Sequence, residues 1–419
     1  MAEKNKTLDI LEMATKFYQA HLLQTASGKK ILEYLKERGI NEESIKNFRL
    51  GYAPNGWTHV LDFLIKNGFS EQEISKTGLL VESQKSGGRK HYDRFRDRIM
   101  FPIADVNGKI VGYSARVAPG GDESQAKYVN TPETEVYHKS KILYGINRAK
   151  GGIRQQKEVL LVEGNMDVIA AHQAGLENTV AVSGTALTED HLNIIKRYTD
   201  KIKMCFDMDS AGEAATKKSL KLCFEKGIEV SVVQLVSGKD AADLAQNDPE
   251  ALKDAVKEAQ PAMEYLFANV FGKFNKEKVE DKKIITQELL EMISYLSNDV
   301  EKSHWVKKLA AELDVEDGIL TDMLKKISLK DSVARNSKEN VQESKIFAPS
   351  GKIETLMKDL VGLALVHESA WRRIVEEADL SYLPEDSLLD AMMEKGARFN
   401  FSFDEFIKDI GSQEDKIRA

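Results

Sequence analysis

The feature that most constrains this chain is an alternation of short apolar runs and helical stretches between residues 155 and 259. Val159-Leu-Leu-Val162 is unbroken and apolar, the pattern of a strand buried on both faces rather than one with a wet side. Met166 to Ala174 follows as a helix closed by Gly175, then Thr179-Val-Ala-Val-Ser183 as a second strand. Thr188 opens the next helix, to Tyr198, as its N-cap. Ile202–Phe206 is a third strand, Ala211–Glu225 a helix ended by Lys226-Gly227, and Glu229–Leu235 a fourth strand. Strands and helices in strict alternation predict a small parallel sheet with right-handed crossovers.

The flanks follow a different grammar. Ile10, Leu11, Ala14, Phe17, Tyr18 and Leu22 recur at helical spacing, as do Ile31, Leu32, Tyr34 and Leu35, and Trp57–Leu64 forms a third run ended by Asn67-Gly68. Arg98–Ile103 and Lys109–Ser114 then flank the turn-rich Asp105-Val-Asn-Gly108, a β-hairpin signature. After Pro249 the pattern is helical through Ile327. Residues 328–350 are polar and end in Pro-Ser before Gly351, as a linker does, and 351–419 resume helical periodicity. The expected fold class is therefore a multidomain α+β and α/β chain. Its parts are a mixed α/β subdomain over 1–154, a small parallel-sheet α/β domain over 155–259, a helical subdomain over 260–327, the linker, and a helical segment over 351–419.

Charge sharpens the division. The chain carries −7 overall, yet Lys85–Arg154 holds 14 Lys/Arg against 7 Asp/Glu, a local +7 that leaves −14 elsewhere. A basic segment inside an acidic chain is either a solvated surface or a footprint of phosphate binding. No apolar run is long enough to span a bilayer and the N-terminus lacks a secretory h-region. Two cysteines, Cys205 and Cys223, cannot build a disulfide framework or a cysteine-rich zinc site and read as core thiols. His91, His138, His172 and His191 show no metal-ligand spacing. The expectation is a soluble protein of a reducing cytoplasm, with no membrane association.

Carboxylates stand where the predicted strands stop. Glu163 follows the first, Asp207 and Asp209 the third, and Asp240 the fourth after Ser237-Gly238-Lys239. Ligands of parallel α/β sheets bind at the carboxyl ends of the strands. Each acid alone reads as a helix N-cap or a solvated strand end. Together they would repel without a cation, and oxygen ligands without His or Cys suit Mg²⁺ or Mn²⁺.

At these residues the chain resembles a known family. Glu163-Gly-Asn-Met-Asp167 with Asp207-Met-Asp209-Ser-Ala-Gly212 is similar to the paired acidic signature of TOPRIM domains. Arg94-Phe-Arg-Asp-Arg-Ile-Met-Phe-Pro-Ile103, Gly108-Lys-Ile-Val-Gly-Tyr-Ser-Ala-Arg116, Lys127-Tyr-Val-Asn-Thr-Pro-Glu133 and Tyr137-His-Lys139 resemble the RNA polymerase core of the bacterial replicative (DnaG-type) primase, as does Tyr52-Ala-Pro-Asn-Gly-Trp57. The ordered motifs cover roughly 15–260.

The resemblance implies DNA-templated synthesis of short RNA primers on single-stranded DNA by metal-dependent nucleotidyl transfer. It implies Glu163, Asp207 and Asp209 as catalytic, metal-binding acids, with Asp240 as a further ligand. Arg94, Arg96, Arg98, Arg116, Lys127, Asn130 and Lys139 would contact template, ribonucleoside triphosphates or the RNA primer–DNA hybrid. The replicative helicase is the implied partner, with 351–419 similar to the first part of the helicase-interaction region. The family's chains open with a zinc-ribbon domain, and Met1 stands where that domain would have ended, so no zinc is expected here. Where the family has Asp-x-Asp, this chain has Asp240-Ala-Ala242, with Asp243 next. The alternatives are a TOPRIM nuclease using water as nucleophile, which the basic segment disfavours, and a catalytically impaired replisome adaptor, which the intact acids disfavour.

Overall fold

The computed structural model describes residues 2–83, 90–121, 124, 126–206, 210–235 and 240–327. The chain divides into two units, Met1–Leu329 and Lys330–Ala419, and every described residue belongs to the first. Asp207, Asp209, the linker and the 351–419 segment lie outside the described residues.

The first part opens with helices α1 (Ala2–Gln24), α2 (Ala26–Glu37) and α3 (Glu42–Asn47), then strand β1 (Gly51–Ala53), α4 (His59–Lys66) and α5 (Glu71–Ser75). A two-stranded ribbon, β2 (Leu80–Glu82) with β3 (His91–Asp93), leads to β4 (Arg98–Ala104), β5 (Ile110–Val117) and β6 (Tyr128–Asn130). The strands form an antiparallel sheet in the order β1-β4-β5-β6. The β4–β5 hairpin closes as its sequence predicts. The Asp105 carboxylate accepts the Asn107 and Lys109 amides, each at 2.9 Å, and Gly108 takes φ +86°, which favours glycine. Every residue of β4 is buried, because α1 lays Ile10, Leu11, Ala14 and Tyr18 into the same core.

Helix α6 (Ile146–Gln156) links to the alternating region: β7 (Val159–Val162), α7 (Asn165–Gln173), β8 (Thr179–Ala181), α8 (Glu189–Ile195), β9 (Lys201–Cys205), α9 (Ser210–Glu225) and β10 (Glu229–Val232). Strands β8, β7, β9 and β10 pair in parallel, as the alternation predicts. Thr188 caps α8 by accepting the His191 amide at 3.2 Å. Leu160 and Val162 of β7 point into the core shared with the antiparallel sheet, while Val159 and Leu161 point into a second core. This period-two division is the physical content of the unbroken apolar run.

The chain continues through α10 (Ala241–Asn247), α11 (Pro249–Lys257), strand β11 (Gln260–Pro261), α12 (Ala262–Lys273), α13 (Val279–Ser294), α14 (Asp299–Leu313) and a helix over 317–327. Leu266, Leu289, Leu309 and Leu320 of these helices close the second core. Strand β11 corrects the all-helical expectation after Pro249. Gln260 and Pro261 pair antiparallel with Val232 and Ser231 at the sheet edge, where a proline without an N–H is tolerated. A two-residue strand leaves no period to read. Both cysteines are buried, and burial pushes the Cys223 thiol up to about 12, consistent with inert core thiols.

Candidate active site

The sheet order β11-β10-β9-β7-β8 puts β8 on one side of β7 and β9 on the other. The connection leaving β7 runs to β8 and the one leaving β9 runs the other way to β10, and this switch point opens a crevice between the carboxyl ends of β7 and β9. Glu163 stands there, directly after Val162. Its carbonyl accepts the Ser183 amide at 3.1 Å. Ser183 sits at φ 54°, a left-handed conformation that costs a non-glycine residue about 1–2 kcal/mol. Its hydroxyl bonds to Asn165 Oδ1, and its carbonyl accepts Asn130 Nδ2 at 3.4 Å, which holds the turn and joins it to β6.

Two helix starts define the rest of the acidic rim. Gly164 N-caps α7, and its amide donates to Asp167 Oδ2 at 3.0 Å. The same carboxylate, in a residue only 9% exposed, takes the Ala242 amide on Oδ1 at 3.1 Å. A Cβ on residue 164 would stand 2.8 Å from Asp167 Oδ2, so any larger residue there would push the Asp167 carboxylate from its place. Asp240 N-caps α10 through the Asp243 amide at 2.7 Å, which is the capping role open to it from sequence. Asp243 lies 3.7 Å from the Arg38 guanidinium.

A cleft of about 660 Å³ runs between this rim and the antiparallel sheet. It brings together Glu163 and Asp240 with Arg116, Lys127 and Asn130, five of the residues singled out from sequence. The Arg116 guanidinium lies over both the Tyr34 and the Tyr128 ring, 5.8 Å from each centroid, a cation–π geometry that fixes it beside the cleft. Phe206 also lines it, and Asp207 and Asp209 are the first and third residues after Phe206 in the chain.

The other basic residues are not at the cleft. Arg98 is only 3% exposed and donates to the Ala115 and Ala126 carbonyls at 3.3 and 3.0 Å. It pins β5 to the approach of β6 and does not line a channel. The preceding Asp97, at φ 51°, breaks the alternation and sends Arg98 inward. Arg94 donates to the Gly78 and Leu80 carbonyls at 2.8 and 3.4 Å, bracing β2. Lys139 belongs to a short 3-10 turn whose carbonyl pairs with His191 Nε2 at 3.2 Å.

Arg96 has a different setting. Its guanidinium lies 4.5 Å from the Trp57 ring centroid and 5.1 Å from that of Tyr92. Trp57 is 64% exposed. Reading Trp57 as the start of an apolar helix run missed this surface: α4 begins at His59 and leaves the indole outside. The available signal was its setting in Asn-Gly-Trp-Thr-His, polar on both sides.

Three family profiles match in order: the DNA primase catalytic core, N-terminal domain, at 17–150, a Toprim-like segment at 160–245, and the DnaB-helicase binding domain of primase at 263–318. The DNA primase of Listeria monocytogenes is 37% identical over 334 residues, 79% of this chain and 52% of that protein. That of Clostridium acetobutylicum is 35% identical over 300 residues, 71% of this chain and 49% of that protein. The chain thus spans about half the length of the curated relatives it matches. Among solved structures, a DNA primase domain from Pseudomonas aeruginosa is 31% identical with TM-score 0.69, covering 76% of this chain and 99% of that one. The DnaG primase catalytic domain bound to ssDNA is 29% identical with TM-score 0.66 over 76% and 99%.

A Toprim-like segment implies a divalent cation. The rim fits one chemically, since Glu163 and Asp240 supply hard oxygen donors to a single cleft. Among the described residues no three acidic, histidine or cysteine side chains converge as a metal cluster, and no helix is long and apolar enough to cross a membrane. The order of the three profiles and the near-complete overlap with a solved primase domain lead to one conclusion: the chain belongs to the DnaG-type family of DNA primases.

Proposed function

We propose that this chain is a DNA primase core that synthesises short RNA primers on single-stranded DNA from ribonucleoside triphosphates. The observation that carries the reading is the cleft itself. It joins acids from a parallel-sheet rim to Arg116, Lys127 and Asn130 from a separate antiparallel sheet, as transfer between two polyanions requires.

Glu163, Asp207, Asp209 and Asp240 would hold the divalent cation, Mg²⁺ with Mn²⁺ as a substitute. When bound it supplies acidification of the primer 3′-hydroxyl and neutralisation of the departing pyrophosphate. Arg116, already oriented by two tyrosines, and Lys127 hold the triphosphate. Asn130 ties the basic sheet to the Ser183 turn and sets the distance between the two halves of the site. Trp57, with Arg96 against its ring, offers an exposed face on which template bases stack without sequence preference. The replicative helicase is the proposed partner, supported by the profile over 263–318 and by the resemblance of 351–419.

The test is to incubate the chain with single-stranded DNA, ribonucleotides and Mg²⁺ or Mn²⁺ without primer and to look for labelled RNA. Products lost in Asp207→Ala/Asp209→Ala support the reading. Strand cleavage without synthesis would replace it with a nuclease.

A further inference from the structure

We propose that Asp93 is the positioning residue of the template-stacking surface, holding Trp57 and Arg96 in register for single-stranded DNA. The inference rests on the reading of Trp57 and Arg96 as a template contact.

Asp93 ends β3 and is 2% exposed. A buried carboxylate is expensive unless its hydrogen bonds are met, so what it holds needs explaining. Helix α4 begins without a local cap. Thr58, at its N-cap position, makes no capping bond, and its hydroxyl donates to Asp62 Oδ2 at 2.8 Å instead. Asp93 takes over from another element: the Val60 amide donates to its Oδ2 at 2.9 Å and the Leu61 amide to its Oδ1 at 3.1 Å. Its backbone completes the arrangement. The Asp93 amide donates to the Trp57 carbonyl at 2.7 Å, and the Asp93 carbonyl accepts the Arg96 guanidinium. All four polar groups of one residue therefore act on the Trp57–Leu61 segment or on Arg96.

A cap alone would be met by a serine or aspartate at position 58. A remote carboxylate does more, because it fixes where α4 starts relative to the strand that leads to Arg96. The exposed indole is thereby clamped on its main chain while its ring packs edge-on against Tyr92, 5.2 Å between centroids. Burial also raises the Asp93 carboxyl to about 6, against the pull of the two amides. The titratable groups facing it are His59 and Asp62 on α4 and Tyr18 on α1, and Arg96, on its own segment, meets its carbonyl. His59 favours its charged form, whereas Asp62 opposes it.

The experiment uses the full chain and a dye-labelled single-stranded oligonucleotide at low salt, with primer extension for the kinetic constants. Asp93→Asn is expected to weaken binding about tenfold, raising KM for template while kcat at saturating template stays within about twofold. Trp57→Ala should weaken binding comparably, and Asp93→Asn added to Trp57→Ala should cost nothing further, since both act through one contact. Normal binding by Asp93→Asn beside weakened Trp57→Ala overturns the proposal and leaves the stacking surface standing. Unchanged binding by Trp57→Ala and Arg96→Ala overturns the stacking surface itself. If Asp93→Asn does not fold, the wild-type pH profile decides. Affinity should fall more steeply than that of Trp57→Ala between about pH 7.5 and 5.5, and parallel profiles sink the assignment.

Discussion

The carboxylate of Asp167 receives the amide of Ala242 at 3.1 Å while its other oxygen receives the amide of Gly164 at 3.0 Å. One side chain thus ties the turn that carries Glu163 to the helix start that carries Asp240, across 75 residues of sequence. Ala242 is held by its main-chain amide with its methyl group buried.

Breaking that tie should loosen the acidic rim before it unfolds the chain. Asp167→Ala is expected to lower stability by about 1–3 kcal/mol, the cost of leaving one buried and one half-buried amide without this partner. It should also move the Mg²⁺ midpoint for synthesis upward, which a metal titration beside thermal melts will read. Gly164→Ala should show the same metal phenotype, because its Cβ would meet Asp167 Oδ2 at 2.8 Å.

Arg98 and Lys127 should separate cleanly. Arg98→Ala removes a buried donor to two carbonyls and is expected to cost about 3 kcal/mol or more. Its slope of log binding constant against log salt should not change. Lys127→Ala should keep the melting temperature, raise KM for ribonucleotide, and reduce that slope by about 0.7 if the lysine meets a phosphate. Melts and salt titrations of both variants make the comparison.

Acid should act on stability and on template binding in opposite senses. The unfolded Asp93 carboxyl titrates near about 3.9, whereas the folded one is raised to about 6. The folded chain therefore retains a proton that the unfolded chain gives up. The contribution of this group to stability is full below the lower value and is lost as pH rises through the upper one. Between about pH 7 and 5 the wild type should gain stability relative to Asp93→Asn while its hold on single-stranded DNA weakens. Melting curves and anisotropy recorded on the same samples will show whether the two trends diverge.

Withdrawing the divalent cation should abolish synthesis and spare the fold, because both cores are built from apolar side chains. Chelation followed by melting and by readdition of Mg²⁺ tests this. Glu163→Gln and Asp240→Asn should each require more cation for half-maximal activity, and Asp240→Asn should also weaken the start of α10, which Asp240 caps.

Much of the architecture was legible because its cause is local. The apolar run of β7, the Thr188 cap and the Asp105–Gly108 turn depend on residues within a few positions of each other, and all three form as their patterns predict. The acids at strand ends were legible for the same reason: a parallel strand must stop, and the next residue in the chain stands at the rim. Glu163, directly after β7, duly lines the cleft, whereas Asp240 reaches it as the N-cap of α10 and not from the end of β10.

The remainder was decided by contacts between distant segments. Whether an arginine in Arg94-Phe-Arg-Asp-Arg98 braces a loop, stacks on an indole or fills a core depends on what lies opposite it, and here these are Gly78, Trp57 and Ala126. Periodicity is blind to such partners. The same holds for Asp93 capping a helix 33 residues back and for Asp167 reaching Ala242. Sequence alone determined which elements form and where their charges emerge, since both depend on neighbouring side chains and backbone geometry. Tertiary structure alone decided which charges are consumed as struts and which remain at the cleft, because the energy of a buried charge is set by the groups that fold around it.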